Sequence, residues 1–296
     1  MTAHYLITEE DQGQRLDQFL QQKEPTLSRT KIRKIIDLGG VHVDGKRVRR
    51  CSWNVETDQK IELYQDNCSL DPFRLNQEMV LFQDKYLIVI NKPAGVDTQP
   101  TPARYKGTLY EALLVWLKKD KKARQPQIGM AQRLDRNTSG AIVFSIHPDA
   151  HKELTAQIQN HTVKKEYLAM VQGIPSPGEG TFHSFLKKDP TSHRMYSDPD
   201  KGKEAITHYQ ILKTWTDSAL VAIQLITGRT HQIRTHFSEA GYPLLGDVQY
   251  GGPKIHGGCK WPRQCLHSYK LQMNHPKTGE PLSFSAPIPA DMGAAR

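Results

Sequence analysis

The chain has 296 residues, long for one compact domain and comfortable for two. Hydrophobic residues make up 37% and charged residues 24%, and Lys plus Arg exceed Asp plus Glu by 40 to 31, a net charge of +9 that suits a polyanionic partner, nucleic acid or an acidic membrane surface, without requiring one. No basic cluster followed by an apolar run opens the chain, no stretch approaches the ~20 apolar residues of a membrane span, and Cys51, Cys68, Cys259 and Cys265 are too scattered for a disulfide framework, so a reducing, cytoplasmic home without a membrane is expected.

Leu16, Phe19 and Leu20 recur at helical spacing and predict a short amphipathic helix. A second helix follows, with Ser28 as N-cap, Leu27 and Ile32 as a hydrophobic staple, Ile32, Ile35 and Ile36 as the buried stripe, and Gly39-Gly40 as the stop. Val41-His42-Val43 then meets Asp44-Gly45, a hairpin-turn signal, with a return strand from Val48 and a last short strand at Ile61 and Leu63. Residues 14–64 read as a small first domain. The polar, proline-containing stretch 65–77 reads as a linker, and 78–292 as a second domain.

The second domain opens with Val80-Leu81-Phe82, a turn at Asp84-Lys85 and the strand-like run Leu87 to Ile90, before a loop at Asn91-Lys92-Pro93-Ala94-Gly95. Thr108 and Glu111 form a capping box ahead of Leu109, Leu113, Leu114 and Leu117. Ala141 to Ser145 reads as a buried strand, Leu154 and Ile158 mark a helix, and Tyr167–Val171, Thr207–Leu212 and Leu220–Leu225 read as strands. Without a regular βαβ alternation, this order predicts an α+β domain with a mixed sheet rather than a doubly wound one.

Cations cluster in the first domain. Arg29, Lys31, Arg33 and Lys34 lie on the polar part of the second helix, and Lys46, Arg47, Arg49 and Arg50 follow the hairpin turn. A helix and hairpin of one sign could track a phosphate backbone; a solvated basic face is the plain alternative.

Two loops carry more chemistry than a connection needs. In Gln132-Arg133-Leu134-Asp135-Arg136-Asn137-Thr138-Ser139-Gly140, one carboxylate stands between two arginines, which favour its ionised form if they approach it; a loop salt bridge is the alternative. In Thr227-Gly228-Arg229-Thr230-His231-Gln232-Ile233-Arg234-Thr235-His236, Thr230 is placed to cap a helix burying Ile233 and Phe237 and ending near Gly241. Arg229 then stands at an anion-favouring helix N-terminus, and His231 and Arg234 share a face. His256, Cys259, Cys265 and His267 lack a usual zinc spacing, no P-loop or dinucleotide fingerprint is present, and no Ser or Cys sits in a nucleophile elbow.

Together these segments resemble the RluA-type pseudouridine synthases, from about residue 14 to residue 292. Arg133 to Gly140 matches that family's nucleophile motif. Gly228 to Arg234, with Gly241-Tyr242-Pro243-Leu244-Leu245-Gly246-Asp247 and Tyr250-Gly251-Gly252, matches its second signature, and Lys165-Glu166-Tyr167-Leu168-Ala169 a third. Asn91 to Gly95 and His275 to Glu280 add to the match. Gln132 departs from the family's usual His and bears on hydrogen bonding beside the nucleophile. The first domain resembles a small α/β RNA-binding module named after a small-subunit ribosomal protein.

The resemblance implies a mainly antiparallel catalytic sheet flanked by helices and loops, and isomerisation of uridine to pseudouridine in structured RNA, ribosomal (large-subunit) first and transfer RNA second. With no cofactor motif and no usual zinc spacing, no cofactor and no metal are expected, and no obligate protein partner is evident. Asp135 would be the nucleophile, Arg229 its ion-pair partner, and Tyr167 a residue against the target base, serving as a base for proton transfer. Arg133 would fill the space left by a flipped-out nucleotide, with Arg136 and Arg234 contacting RNA beside the basic first domain. The competing readings are a noncatalytic RNA-binding or assembly protein and a metal-dependent nucleic-acid enzyme.

Overall fold

The computed structural model describes residues 2–118 and 126–293, and these divide into two units: residues 2–75 with 96–118, and residues 76–95 with 126–293. In the first unit, strand β1 (Thr2–Leu6) precedes helices α1 (Leu16–Lys23) and α2 (Arg29–Leu38), then β2 (Val41–Val43), β3 (Lys46–Arg47) and β4 (Lys60–Tyr64). The Ser28 hydroxyl accepts the Lys31 N–H, and Gly39 ends α2 at φ 92°, a left-handed conformation suited to glycine. Asp44 and Gly45 both have positive φ, as the tightest hairpin turns demand. The antiparallel order β1-β4-β2-β3 covers a core of Leu16, Phe19, Leu20, Ile32, Ile35, Ile36, Ile61 and Leu63.

The domain boundaries differ from those expected. Residues 96–118, with helix α3 (Leu109–Leu117), belong to the first unit. The backbone N–H groups of Tyr105 and Lys106 both donate to the Leu38 carbonyl, and the Lys106 ammonium pairs with Asp37 at 2.7 Å. Arg104 is buried and grips Asp66 through two hydrogen bonds, so the stretch expected to be a linker is partly packed structure. Charge pairs that distant in sequence leave no local pattern.

The second unit contains β5 (Val80–Gln83), β6 (Leu87–Lys92), β7 (Ser139–Ser145), α4 (Pro148–Gln159), β8 (Lys164–Gln172), β9 (Glu179–Lys188), β10 (Met195–Ser197), β11 (Lys203–Thr214), β12 (Ser218–Leu225), α5 (Gln232–Glu239), the small hairpin β13 (Ile255–His256) and β14 (Cys259–Lys260), β15 (Leu266–Asn274), β16 (Pro281–Ser285) and α6 (Ala290–Gly293). Its large sheet runs β10-β9-β11-β12-β8-β15-β7-β6-β5, with β16 beside β15. All pairings are antiparallel except β15 with β7. The molecule is α+β, with a mixed, mainly antiparallel sheet.

That single parallel pairing aligns the starts of β7 and β15, His267 opposite Ser139 and Ser268 opposite Gly140. Because Tyr167 of β8 pairs with Ser268, one row across three strands reads Tyr167, Ser268, Gly140. The 132–138 loop therefore leads into the sheet beside Tyr167. Gly140 has φ 113°, and a Cβ there would lie 2.2 Å from the Ser268 carbonyl oxygen. Gly140→Ala is expected to destabilise the second unit by about 2–4 kcal/mol, lowering the thermal midpoint by roughly 5–15 °C in calorimetry; an unchanged midpoint contradicts the close approach.

Candidate active site

The 132–138 loop is held by its carbonyls. The Asp135 carbonyl accepts the Thr138 N–H at 3.0 Å. The Arg136 carbonyl accepts the Gly95 N–H at 2.9 Å and the Lys92 ammonium at 3.0 Å, and Lys92 is wholly buried. The Asn137 carbonyl accepts from Arg263 Nη1 at 3.0 Å. Three successive carbonyls with fixed donors leave the Asp135 side chain little freedom of position. It lines a cleft of about 350 Å³ with Arg133, Lys165, Tyr167, Arg229, His231 and Arg234, within the roughly 300–1,000 Å³ of small-ligand pockets.

The arginine that meets Asp135 is Arg234, not Arg229. Arg234 Nη1 lies 3.2 Å from Asp135 Oδ2. Its Nε and Nη2 bind Asp247 at 2.6 and 2.8 Å, and Nη2 also donates to Gln249 at 2.9 Å. The guanidinium lies 4.7 Å from the centre of the Tyr250 ring. Arg229 lines the cleft but is exposed, and its Nε donates to the Glu204 carbonyl at 2.8 Å.

The local fold explains the exchange. Helix α5 begins at Gln232, after His231 in a left-handed conformation, and Thr230 does not cap it. Instead the Gln232 side chain, 2% exposed, accepts the Arg229 N–H and the Thr227 hydroxyl and donates to Ile206 and Thr207. This folds Arg229 toward β11, while Arg234, in the first turn of α5, faces Asp135 on the same side as His231, whose Nε2 is 3.8 Å from Oδ2. Both contacts fall on Oδ2. Among the described residues Oδ1 has no hydrogen-bond or ion-pair partner, which leaves it open to the cleft.

Tyr167 is 6% exposed and lines the cleft. Burial pushes its phenol up to about 12, a Ser268 hydrogen bond works the other way, and the Asp135 charge raises it further. Burial thus favours the neutral phenol over the phenolate at this position. Lys165, on the same face of β8, is buried and has no ion-pair partner among the described residues; burial lowers its pKa. Gln132 Nε2 is buried without a hydrogen-bond partner among the described residues. Arg133 is exposed at the cleft.

Sequence reasoning missed Asp247, which is 2% exposed and anchors Arg234. It lies in a quoted motif, but its partner is thirteen residues upstream on another element. Arg136 lies within the loop, and among the described residues the ion pairs of Asp135 are with Arg234 and His231. Of the first-unit cations, Arg29 and Arg33 face the buried Asp17, Lys34 pairs with Asp71, and Arg50 donates to Ser52. Arg49 donates to the Asp37 carbonyl, and Arg47 donates to the Thr101 carbonyl. Lys31 and Lys46 are exposed without side-chain partners among the described residues. No group of three or more His, Cys, Asp or Glu among the described residues is placed to hold a metal; His267 bonds Ser139 and Ala286.

Residues 86–239 match the family described as RNA pseudouridylate synthase, just over half of the chain. The chain belongs to that family. Residues 14–61 match the S4 domain. Among similar proteins, the "Uncharacterized RNA pseudouridine synthase YlyB" of Bacillus subtilis is 33% identical over 96% of this chain and 94% of its own. A "Ribosomal large subunit pseudouridine synthase D" of Nitrosomonas europaea is 34% identical over 95% of this chain and 83% of its own. A solved structure, "Human RNA Pseudouridylate Synthase Domain Containing 4", superposes with a TM-score of 0.60 at 25% identity, covering 73% of this chain and 90% of that one. This RNA pseudouridine synthase thus carries its family's catalytic domain behind an RNA-binding S4 domain.

If Arg234 is the partner of Asp135, Arg234→Ala lowers kcat by about 100-fold or more, while Arg229→Ala lowers kcat/KM by less than about tenfold. Single-turnover assays on a uridine-containing RNA check this, and the reverse ranking contradicts it.

Proposed function

We propose that the chain isomerises uridine to pseudouridine in large-subunit ribosomal RNA, in the cytoplasm, with Asp135 as nucleophile acting on a flipped-out nucleotide. The observation that carries this is the Asp135 carboxylate, with Oδ2 held by Arg234 and Oδ1 unpartnered among the described residues, lining a cleft. The relatives named for the large ribosomal subunit support the choice of RNA. No helix among the described residues is long and apolar enough to cross a membrane.

The reaction breaks the ribose–N1 bond and makes a bond from the same ribose carbon to C5. The C5 proton leaves, and N1 gains one. Attack on the ring or on the ribose carbon draws on the same lone pair of Oδ1. The electron pair returns to the carboxylate when the covalent bond opens, so nothing is consumed and no redox partner is needed. The target atoms are out of reach in a helical stack, so the nucleotide is extruded at a cost of a few kcal/mol. Exposed Arg133 beside the cleft has the planar cation suited to stacking in the vacated space.

Asp135→Asn is expected to abolish turnover while RNA affinity stays within about threefold, and mapping pseudouridine in total RNA with and without the chain identifies the substrate. Turnover by Asp135→Asn sinks the nucleophile, and a site found only in transfer RNA sinks the ribosomal assignment.

Of the eight cations of the helix and hairpin cluster, Lys31 and Lys46 have no side-chain partner among the described residues, so they are the ones proposed to meet phosphates. Replacing both with Gln is expected to flatten the slope of log affinity against log salt by about 1.5, at roughly 0.7–0.9 per lost phosphate contact. An unchanged slope removes them from the interface.

A further inference from the structure

The hydrogen bonds of His231 define which of its nitrogens carries the proton. His231 has φ 52°, a left-handed backbone that His tolerates better than most side chains, and its ring lies between Asp135 and Tyr250. The Tyr250 hydroxyl belongs to a residue only 2% exposed and accepts the Met195 N–H at 2.8 Å. An amide N–H can only donate. A buried hydroxyl that already accepts one bond is fully satisfied by donating its proton to its other partner, His231 Nδ1 at 2.9 Å, and this is the arrangement we take. Nδ1 is then an acceptor, and the ring proton sits on Nε2, which is 3.8 Å from Asp135 Oδ2.

We infer that His231 is a positioning residue, a neutral imidazole locked by Tyr250 with its N–H on Nε2 facing Asp135 Oδ2 from 3.8 Å, beyond hydrogen-bond length, so that its dipole biases the carboxylate while Arg234 alone bonds Oδ2 and Oδ1 is kept for the substrate. This deepens the nucleophilic role of Asp135 and rests on it. A neutral donor has an advantage over a second cation here. Its N–H dipole faces the carboxylate while withdrawing less of its electron density than a charge would, so Oδ1 stays nucleophilic. When Oδ1 bonds to carbon, Oδ2 becomes the carbonyl oxygen. When that bond opens, the electron pair returns to the carboxylate, and the negative charge reappears partly on Oδ2, hydrogen-bonded by Arg234 and faced by the His231 N–H dipole.

The surroundings oppose a charged ring on balance. Burial disfavours the imidazolium first, Asp135 favours it, Arg234 disfavours it, Asp247 favours it and Lys188 disfavours it, leaving the ring below its ordinary value. Arg194 also lies 4.9 Å from the Tyr250 ring centre.

The test is nuclear magnetic resonance of the full chain with nitrogen-15 histidine at pH 7.5, the His231 signals identified by their loss in His231→Asn. A protonated Nε2 and a bare Nδ1 are expected. Tyr250→Phe keeps the ring but removes the lock, and should shift His231 toward the other tautomer and lower kcat about tenfold with KM within about threefold. It should also move the acid limb of the kcat profile to higher pH, because the neutral form loses its donor. An imidazolium or an Nδ1–H ring in the unaltered protein overturns the inference, as does a Tyr250→Phe protein with unchanged spectrum and kcat. Activity in Asp135→Asn would instead overturn the nucleophile and leave the tautomer standing.

Discussion

The site depends on one buried ion pair, Arg234 with Asp247, both nearly sealed from solvent and joined by two parallel hydrogen bonds of 2.6 and 2.8 Å. A planar guanidinium gripped by a carboxylate along one edge has a defined orientation, and the remaining Nη1 is thereby aimed at Asp135. Tyr250 backs the same guanidinium and, through its hydroxyl, orients His231. Burying such a pair contributes little net stability, but removing one partner strands a charge at a cost of about 3–5 kcal/mol. The pair is better understood as a rigid mount for the third group than as a source of stability.

The opposing half of the site is fixed by backbone rather than side-chain pairing. Lys92, Gly95, Thr138 and Arg263 supply donors to consecutive carbonyls around Asp135, and the Arg263 guanidinium is itself held by Asp291 of α6 at 2.6 and 2.8 Å. Segments far apart in the chain thus converge on three residues of loop. The parallel start of β7 and β15 sets the sheet edge from which that loop leaves, and the glycine at 140 permits the approach. A carboxylate presented this way needs no rearrangement at the moment of reaction, the condition under which fixed dipoles and charges lower a barrier most.

Local signals were legible and distant ones were not. The cap at Ser28, the stop at Gly39, the turn at Asp44-Gly45 and the strands through Ala141, Tyr167 and Leu220 stand where spacing and turn chemistry placed them. Strand β15 was missed although it is central, because polar His267 and Ser268 interrupt its apolar run; they are buried because Ser139 and the Ala141 carbonyl satisfy them. Strand β9 was missed because half of it faces solvent and it begins with Glu-Gly. The loop bearing Asp135 was singled out from its residues, and its role came from the resemblance. Choosing Arg229 over Arg234 went wrong because position at a helix start was inferred from Thr230, whereas Gln232 organises the turn through partners on β11 and at Thr227. The basic cluster of the first unit shrank for a similar reason: Asp17, Asp37 and Asp71, together with the Thr101 carbonyl, claim several of its cations from within.

The most direct check of the central pair is a double-mutant cycle on kcat, joining Arg234→Gln and Asp247→Asn. If Asp247 acts through Arg234, the second substitution adds little to the first, and the coupling approaches the whole effect of Asp247→Asn, on the order of 2 kcal/mol. Full additivity of the two losses, with Asp247→Asn costing as much in the absence of Arg234 as in its presence, would contradict the account.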